Sequence, residues 1–527
     1  MHSPTPIRLV SVAEMRALEQ CADRRGLSYE RMMHNAGVGA AEALLRHLGK
    51  PQRVVALIGP GNNGGDGLVC AAHLARQGVE VRAYLLRARD PDLDAVWRDV
   101  ARAISVSLVL ADDPDLNTLR CWLAECDVVL DALLGIGVSR PISGDLQRLL
   151  AVLAERRAAP PAVALVALDG VTGMNYDTGA LDPHTVPADL TLTFHAPKRG
   201  HYQMPAAQAS GKLVVVPIGI DALCPDVPIA VALADAAQSR AHLPQRRPDA
   251  HKGDHGRVWV IGGCADYVGA PTLAALAAYR VGAGLVTLAV PQCVWPIAGA
   301  RCPEATFVPP AEDVQALGPS AARLIAERLA QARAQDVVLL GPGMGQAPQT
   351  GEALARLCAV LRERGSPIVC DADALNWLAK QSQWHRLLPP QSVLTPHPSE
   401  MARLCATDVS AVQSDRVGWA LRAAQQWGHV VVLKGAYTVI ASPQGTGLVL
   451  PFANPVLAVA GTGDVLAGCI AGFMAQGCLP LHAALCGAFV HARAGQAWRD
   501  QHGDAGLLAS DLLALLPDVL RELRVGP

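Results

Sequence analysis

Three stretches of the sequence combine residue types that can do chemistry. The first, GPGNNGGDGLV (59–69), fits a GxGxxG pattern at Gly59, Gly61 and Gly64, directly after the apolar run RVVALI. A glycine loop that opens a helix turns backbone N–H groups toward an anion. Asn62, Asn63 and Asp66 suit a pyrophosphate poorly, however, and Arg87 and Arg89 stand where a dinucleotide fold places an acidic residue. An ordinary NAD-dependent dehydrogenase is therefore not supported. The second stretch is a pair of strand-end carboxylates, Asp131 in LDALLGIG and Asp169 in LDGVTG, with the Thr172 hydroxyl close by. Such carboxylates cap loops, hold cations or move protons. The third is VAGTGDVLAG (459–468). Its small residues let N–H groups converge on an anion. Asp464 follows at the place where a phosphoryl group would arrive, either as a helix cap or as the base that takes the proton of an attacking hydroxyl.

These residues need a scaffold, and the apolar runs supply two. In the first half, 53–59, 79–86, 127–135, 162–170, 188–194 and 211–219 read as strands, with helical segments between the earlier ones. This alternation predicts an α/β fold with a mostly parallel sheet covered on both faces. Sites in such sheets gather at the carboxyl ends of strands, which groups the glycine loop with Asp131 and Asp169. NAGVGAAEAL (35–44) reads as the opening of a helix. A Pro- and Ala-rich stretch follows, with a boundary expected near 222–245. A second series then begins at 257–263, 285–291, 336–345, 367–375, 392–400 and 429–440.

Composition narrows the partners. The 527 residues carry a formal net charge of −2 with no basic block, so nucleic acid is not an expected partner. Hydrophobic residues make up 51% of the chain. Yet the longest apolar stretch, Cys469–Ala492, is interrupted by Gln476, Pro480 and His482 and reads as two buried helices rather than a membrane span. The N-terminal stretch lacks the apolar core of a secretory signal. The 14 cysteines are scattered without a CxxC pair, which suggests buried thiols in a reducing cytoplasm.

The motifs MMHNAG, GPGNNGGDGLVCAAHL, DALLGIG, LDGVTG and FHAPKRG resemble, in order, the NAD(P)H-hydrate epimerase family. By position the resemblance implies substrate contacts at Asn62, Asn63, Gly64, Gly65, Asp66, Gly135, Ile136, Gly137, Val138, Ser139, Arg140, Pro141 and Asp169. It also implies a potassium ion held by Asn63, Asp131 and Thr172, and makes Asp169 the candidate acid/base. The family commonly has Asp-Ile-Pro-Ser-Gly where this chain has Asp169-Gly170-Val171-Thr172-Gly173: the hydroxyl survives, the rigid proline does not. In the second half, HKGDHGRVWVIGG, GPGMG, DADAL, TPHPSE, LKGAYT and VAGTGDVLAG resemble the NAD(P)H-hydrate dehydratase branch of the ribokinase-like superfamily. That implies hydrate contacts at Ala270, Gly345, His397 and Asp464, and nucleotide contacts at Lys434, Gly435, Ala436, Tyr437, Thr438 and Gly463, with Asp464 the base. Ser399 replaces the family's usual glycine and should be tolerated unless its φ is positive.

Taken together, the resemblance implies a Rossmann-like three-layer epimerase domain (1–225) and a ribokinase-like α/β dehydratase domain (240–527). They would repair hydrated NADH and NADPH, with potassium in the first half and Mg2+ and ADP in the second. Small molecules would be the partners, with no membrane, a cytoplasmic location and a homo-oligomeric assembly. Two alternatives stay open: a small-alcohol or vitamin-precursor kinase in the second half, and a non-catalytic binding module in the first.

Overall fold

The apolar runs of the first half become strands because their Val, Leu and Ile side chains alternate between two cores. The computed structural model describes residues 7–90, 95–104, 106–137, 140–220, 222–310 and 314–526. The chain packs as two units, one of Arg8–Ala230 and one that runs from Val231 onward and includes Ile7. In the first unit the strands are β1 (Arg53–Ile58), β2 (Glu80–Leu85), β3 (Val106–Val109), β4 (Val128–Ala132), β5 (Ala164–Leu168), β6 (Leu190–Phe194) and β7 (Lys212–Val216). They form one parallel sheet in the order β3-β2-β1-β4-β5-β6-β7. On β1, Val54, Ala56 and Ile58 face a core shared with Ala40, Leu44, Leu68 and Ala71 of two helices. Val55 and Leu57 face the opposite core, with Leu119, Leu149 and Leu153. Each fully buried side chain of this kind contributes about 1.5–3 kcal/mol of transfer free energy.

The unit is closed by its own ends. Glu14, on the helix Val12–Arg24, accepts hydrogen bonds from Arg199 Nη2 at 2.8 Å and from the Ala230 amide at 3.1 Å. Cys21 on the same helix and Cys224 are joined in a disulfide, with Cα atoms 6.2 Å apart. This corrects the expectation of free thiols throughout, since folding brings two cysteines 203 residues apart into contact. The expected helix start at Asn35 is also displaced. The helix begins at Tyr29, capped by Ser28, and Asn35 lies inside it, donating to the Ile218 carbonyl at 3.0 Å.

The second unit holds β8 (Val231–Leu233), β9 (Arg257–Ile261), β10 (Leu285–Ala289), β11 (Thr306–Phe307), β12 (Val337–Leu340), β13 (Ile368–Cys370), β14 (Val393–Leu394), β15 (Val430–Leu433), β16 (Val439–Ala441) and β17 (Gly447–Val449). Their order is β8-β17-β16-β15-β14-β13-β12-β9-β10-β11. Only the β15–β16 and β16–β17 pairs among these are antiparallel. The run 429–440 is thus two strands of a hairpin rather than one, because Lys434–Thr438 turns the chain with positive φ at Gly435 and Tyr437. The stretch 222–245, read as a connector, contains β8 and the helix Ala236–Ala241. One face of this sheet is covered by helices of small residues. A Cβ on Gly468, in the helix Thr462–Ala475, would lie 2.2 Å from the Ala274 carbonyl oxygen of the helix Ala270–Arg280, so the two backbones pack directly together. Cys469–Ala492 does form parts of two largely buried helices, Thr462–Ala475 and Pro480–His502. Among the described residues no helix is long and apolar enough to cross a membrane.

Candidate functional site

In the first unit the strand order reverses between β1 and β4, the place where parallel sheets open a crevice. The glycine loop leaves β1 there. A Cβ on Gly59 would fall 1.8 Å from the Leu133 carbonyl, and one on Gly64 would fall 1.9 Å from the Gly59 carbonyl. These glycines let backbone meet backbone. Arg89, in the position that argued against a dinucleotide site, donates to the Gly59 carbonyl at 2.9 Å.

Asp131 ends β4 in full burial and accepts from the Thr172 amide at 3.0 Å, the Thr172 hydroxyl at 2.7 Å and the Leu133 amide at 3.2 Å. Burial pushes its carboxyl up and the Thr172 bonds pull it back. No basic side chain forms an ion pair with it among the described residues. Asn63 joins this group through Leu134. Its Nδ2 donates to the Leu134 carbonyl at 3.0 Å, and the Leu134 amide donates to Thr172 Oγ1 at 3.2 Å. Asn63 Oδ1 is buried without a partner.

Asp169 follows β5 with a left-handed φ of 64°. Its carboxylate accepts from Thr193 Oγ1 at 3.1 Å, from the Phe194 amide at 3.3 Å and from the buried Lys198 ammonium. Lys198 Nζ also donates to Thr193 Oγ1 at 3.0 Å and to the Phe194 carbonyl at 3.1 Å. Asp169, Lys198, Asn62, Asn63, Asp66, Gly135, Ile136 and Gly137 line one cavity of 420 Å³, which Glu19 of the helix Val12–Arg24 also faces. Burial pushes the Asp66 carboxyl well up, and the charges of Asp169 and Glu19 add to this. Glu19 is pushed up by burial as well, against the pull of Lys198.

The remaining expected contacts divide. Gly64 and Gly65 are packing positions, since a Cβ on Gly65 would meet Met33 Sδ at 2.6 Å. Arg140 and Pro141 line a separate cavity of 200 Å³, sharing Gly135 with the first. Val138 and Ser139 lie outside the described residues.

In the second unit, loops from adjacent strand ends converge. Asp371, after β13, is buried and accepts from Lys434 Nζ at 2.6 Å and Thr395 Oγ1 at 2.8 Å. Lys434, after β15, also stands 3.8 Å from Glu400 Oε2. Asp464 lies in the first turn of Thr462–Ala475, which Gly461 opens in a left-handed conformation. Burial and the nearby Asp371 carboxylate push Asp464 up to about 7, with Lys434 opposing. Gly463 keeps the approach open: a Cβ there would be 3.6 Å from Lys434 Nζ. Burial likewise pushes Glu400 up.

His397 caps the helix Pro398–Leu404. Its Nδ1 accepts from the Ser399 amide at 3.1 Å and the Glu400 amide at 3.4 Å, and Nε2 is 3.3 Å from Glu400 Oε1. Burial, with Lys434 adding to it, lowers its pKa to about 4, so the ring is neutral. Both ring nitrogens are engaged in shaping the loop, and the half-exposed ring is what remains for a ligand. Ser399 is helical, so no strain attaches to serine there. Gly345 has φ 72° and its amide donates to Asp373 Oδ2 at 2.9 Å. A Cβ on the neighbouring Gly343 would meet the Ala270 side chain at 2.9 Å, which places Ala270 against the same loop. In the Lys434–Thr438 turn, Thr438 Oγ1 donates to the Gly435 carbonyl at 2.9 Å. Arg416 Nη2 holds the turn by donating to the Leu433 and Lys434 carbonyls at 3.1 and 3.0 Å. Lys198, Glu19, Asp371, Asp373, Glu400 and Arg416 were not among the expected site residues. Four of them stand inside quoted motifs, FHAPKRG, DADAL and TPHPSE, and only Glu19 and Arg416 carried no motif signal.

Two families match the chain. The one described as YjeF-related protein N-terminus covers residues 29–200, and the one described as NAD(P)H-hydrate dehydratase covers 258–518. The bifunctional NAD(P)H-hydrate repair enzyme Nnr of Moorella thermoacetica is 38% identical over 529 residues, covering 98% of this chain and 97% of that protein. That of Thermofilum pendens is 34% identical over 527 residues, with the same 98% and 97% coverage. A crystal structure of ADP/ATP-dependent NAD(P)H-hydrate dehydratase from Bacillus subtilis, co-crystallized with ATP/Mg2+, is 31% identical. It covers 55% of this chain and 98% of its own, at a TM-score of 0.47. With kinship of this level running through both halves, the chain belongs to the family of bifunctional NAD(P)H-hydrate repair enzymes.

Proposed function

We propose that residues Arg8–Ala230 interconvert the R and S hydrates of NADH and NADPH. The second unit, from Val231 onward, would use ADP to return the S hydrate to the reduced nucleotide, giving AMP and phosphate. The observation that carries the second activity is the Asp464 carboxyl at the opening of a glycine-started helix, beside the Lys434–Asp371 pair. Asp464 takes the proton of the hydrate hydroxyl as that oxygen attacks the terminal phosphoryl group of ADP. Lys434 and the N–H groups after Gly461 offset the phosphate charge. Phosphate then leaves where hydroxide would leave poorly. Magnesium would come with the ADP phosphates, its remaining oxygen ligands drawn from Asp371 or Glu400.

Potassium in the first unit is supported by two features. Asn63 Oδ1 is a buried acceptor without a donor, and Asp131 is a buried carboxylate with only hydrogen-bond donors against it. Asn63, Asp131 and Thr172 would supply the oxygens, and the ion the missing positive charge. Asp169, paired with Lys198, is the acid/base.

The test is to incubate mixed hydrate epimers with ADP and follow recovery of the reduced nucleotide. Wild type is expected to consume both epimers. Asp464→Asn should lose dehydration by roughly 10²-fold or more, the scale of a general base, while still interconverting epimers. Near-normal repair by that variant would remove Asp464 from the mechanism. A stable phosphate ester as product would point to a kinase.

A further inference from the structure

Epimerisation moves no net proton, so a site that catalyses it through acid–base chemistry needs a group to give a proton and a group to take one. The 420 Å³ cavity holds three carboxyls, Glu19, Asp66 and Asp169, and the last two stand in opposite circumstances. Asp169 is saturated by Lys198, Thr193 and the Phe194 amide. Asp66 lines the same wall of the cavity as Asn62 and Asn63, in the second turn of the helix Asn62–Arg76 and past the reach of its N-terminal dipole. Among the described residues no hydrogen bond or salt bridge reaches its carboxyl. The groups facing it are Glu19 and Arg16 from the helix Val12–Arg24, Asp169 and Lys198 from across the cavity, and Cys70 on its own helix. Two of these are carboxylates, and Lys198 is already spent on Asp169. Burial and these neighbours raise the Asp66 carboxyl well above the ordinary carboxylate range, which favours the form that can give a proton.

We propose that Asp66 is the proton donor of the epimerisation and Asp169 the acceptor; this rests on reading the first unit as the hydrate epimerase. Asp169 takes the proton of the hydroxyl on the hydrated ring carbon. The oxygen's electron pair forms a carbonyl as the bond from that carbon to the ring nitrogen breaks. The released pair stays on nitrogen, which takes the proton of Asp66. Rotation about the neighbouring carbon–carbon bond turns the aldehyde, and closure runs the transfers in reverse. The N–H proton returns to Asp66 and the Asp169 proton to the new hydroxyl. Both carboxyls end as they began, so either epimer meets the enzyme in the same state. A route that expelled water and added it from the other face would leave Asp66 ionised and Asp169 protonated after each turn.

The experiment uses the full chain and the purified R hydrate of NADPH without ADP, with the S hydrate separated by chromatography. Asp66→Asn is expected to lower kcat by about 10²-fold or more, to leave KM within about threefold, and to abolish the fall in rate at high pH that wild type shows as Asp66 ionises. Asp66→Glu, which restores the acid on a longer arm, should recover part of kcat and the high-pH fall. Hydroxylamine should trap the open aldehyde as an oxime during wild-type turnover and much less with Asp66→Asn. A rise in KM with kcat unchanged, a high-pH fall that persists in Asp66→Asn, or no oxime from wild type overturns the proposal. If Asp66→Asn does not fold, a profile for Asp66→Glu without a high-pH fall overturns it. Wild type that fails to interconvert the hydrates at all removes the reading of the first unit instead.

Discussion

At the scale of single residues, Asp464 ties activity and stability to pH with opposite signs. Its carboxyl is pushed up to about 7, chiefly by burial. In its proposed role as base it must be ionised, so dehydration should climb with pH through about 7, with the ADP concentration held saturating. Stability runs the other way. A carboxyl whose pKa is raised on folding favours the folded state below its unfolded pKa, and that contribution is lost as pH rises through the folded value. Asp464→Asn should therefore unfold at a higher temperature than wild type at pH 8, by about 2 °C or more, with the gap narrowing by pH 5. A calorimetric scan at both values checks this. Thr172→Val, measured as epimerisation rate against potassium at constant ionic strength with sodium as replacement, belongs to the same scale. It should lower the rate and weaken the potassium response, because the hydroxyl lies between Asp131 and the Leu134 amide. An unchanged response would leave Thr172 an ordinary loop residue. Asp131, Asp169 and Asp464 were legible because each ends an apolar run or opens a small-residue loop. Glu19 was not, because its role comes from a helix packed across the cavity, a contact made by folding that leaves no local pattern.

The elements were legible in proportion to their length and apolarity. All twelve expected runs contain strands, since Val- and Leu-rich segments buried on both faces stand out. β3, β8, β11 and β17 were not anticipated. β11 has two residues, β8 and β17 three each, and β3 is largely exposed or half-buried. The hairpin β15–β16 was hidden because Val, Leu and Ile flank its turn on both sides, so the run looks continuous. Close packing between helices was also invisible, because glycine and alanine read as weak signals one at a time. It has a consequence for catalysis. Gly468→Ala would drive a Cβ against the Ala274 carbonyl and shift the helix that carries Asp464. We expect a loss of about 1–3 kcal/mol and a marked fall in dehydration, with epimerisation unchanged. Full dehydratase activity in that variant would show that the helix pair tolerates a wider spacing.

At the scale of the whole molecule, each unit has its own hydrophobic core. Cut between Ala230 and Val231, both pieces should be soluble, and the second alone should stall near half of a racemic hydrate mixture once spontaneous epimerisation is subtracted. A piece starting at Leu243 should melt lower than one starting at Val231. It lacks β8, which pairs with β17, and the helix Ala236–Ala241, whose Arg240 Nε donates to the Leu523 carbonyl at 2.7 Å. Equal melting would mean these segments add nothing.

The closing of the first unit by its own ends bears on how the protein is made. The helix Val12–Arg24 emerges from the ribosome early, yet its partners Arg199, Cys224 and Ala230 are among the last residues of the unit to be synthesised. One wall of the 420 Å³ cavity must therefore wait, exposed, for almost the whole unit to be translated, while no residue of the second unit is needed to complete it. Nascent chains stalled before Ala230 has left the exit tunnel should leave Cys21 open to alkylation. Chains stalled well beyond it should protect Cys21, even though the dehydratase unit is still being read from the message.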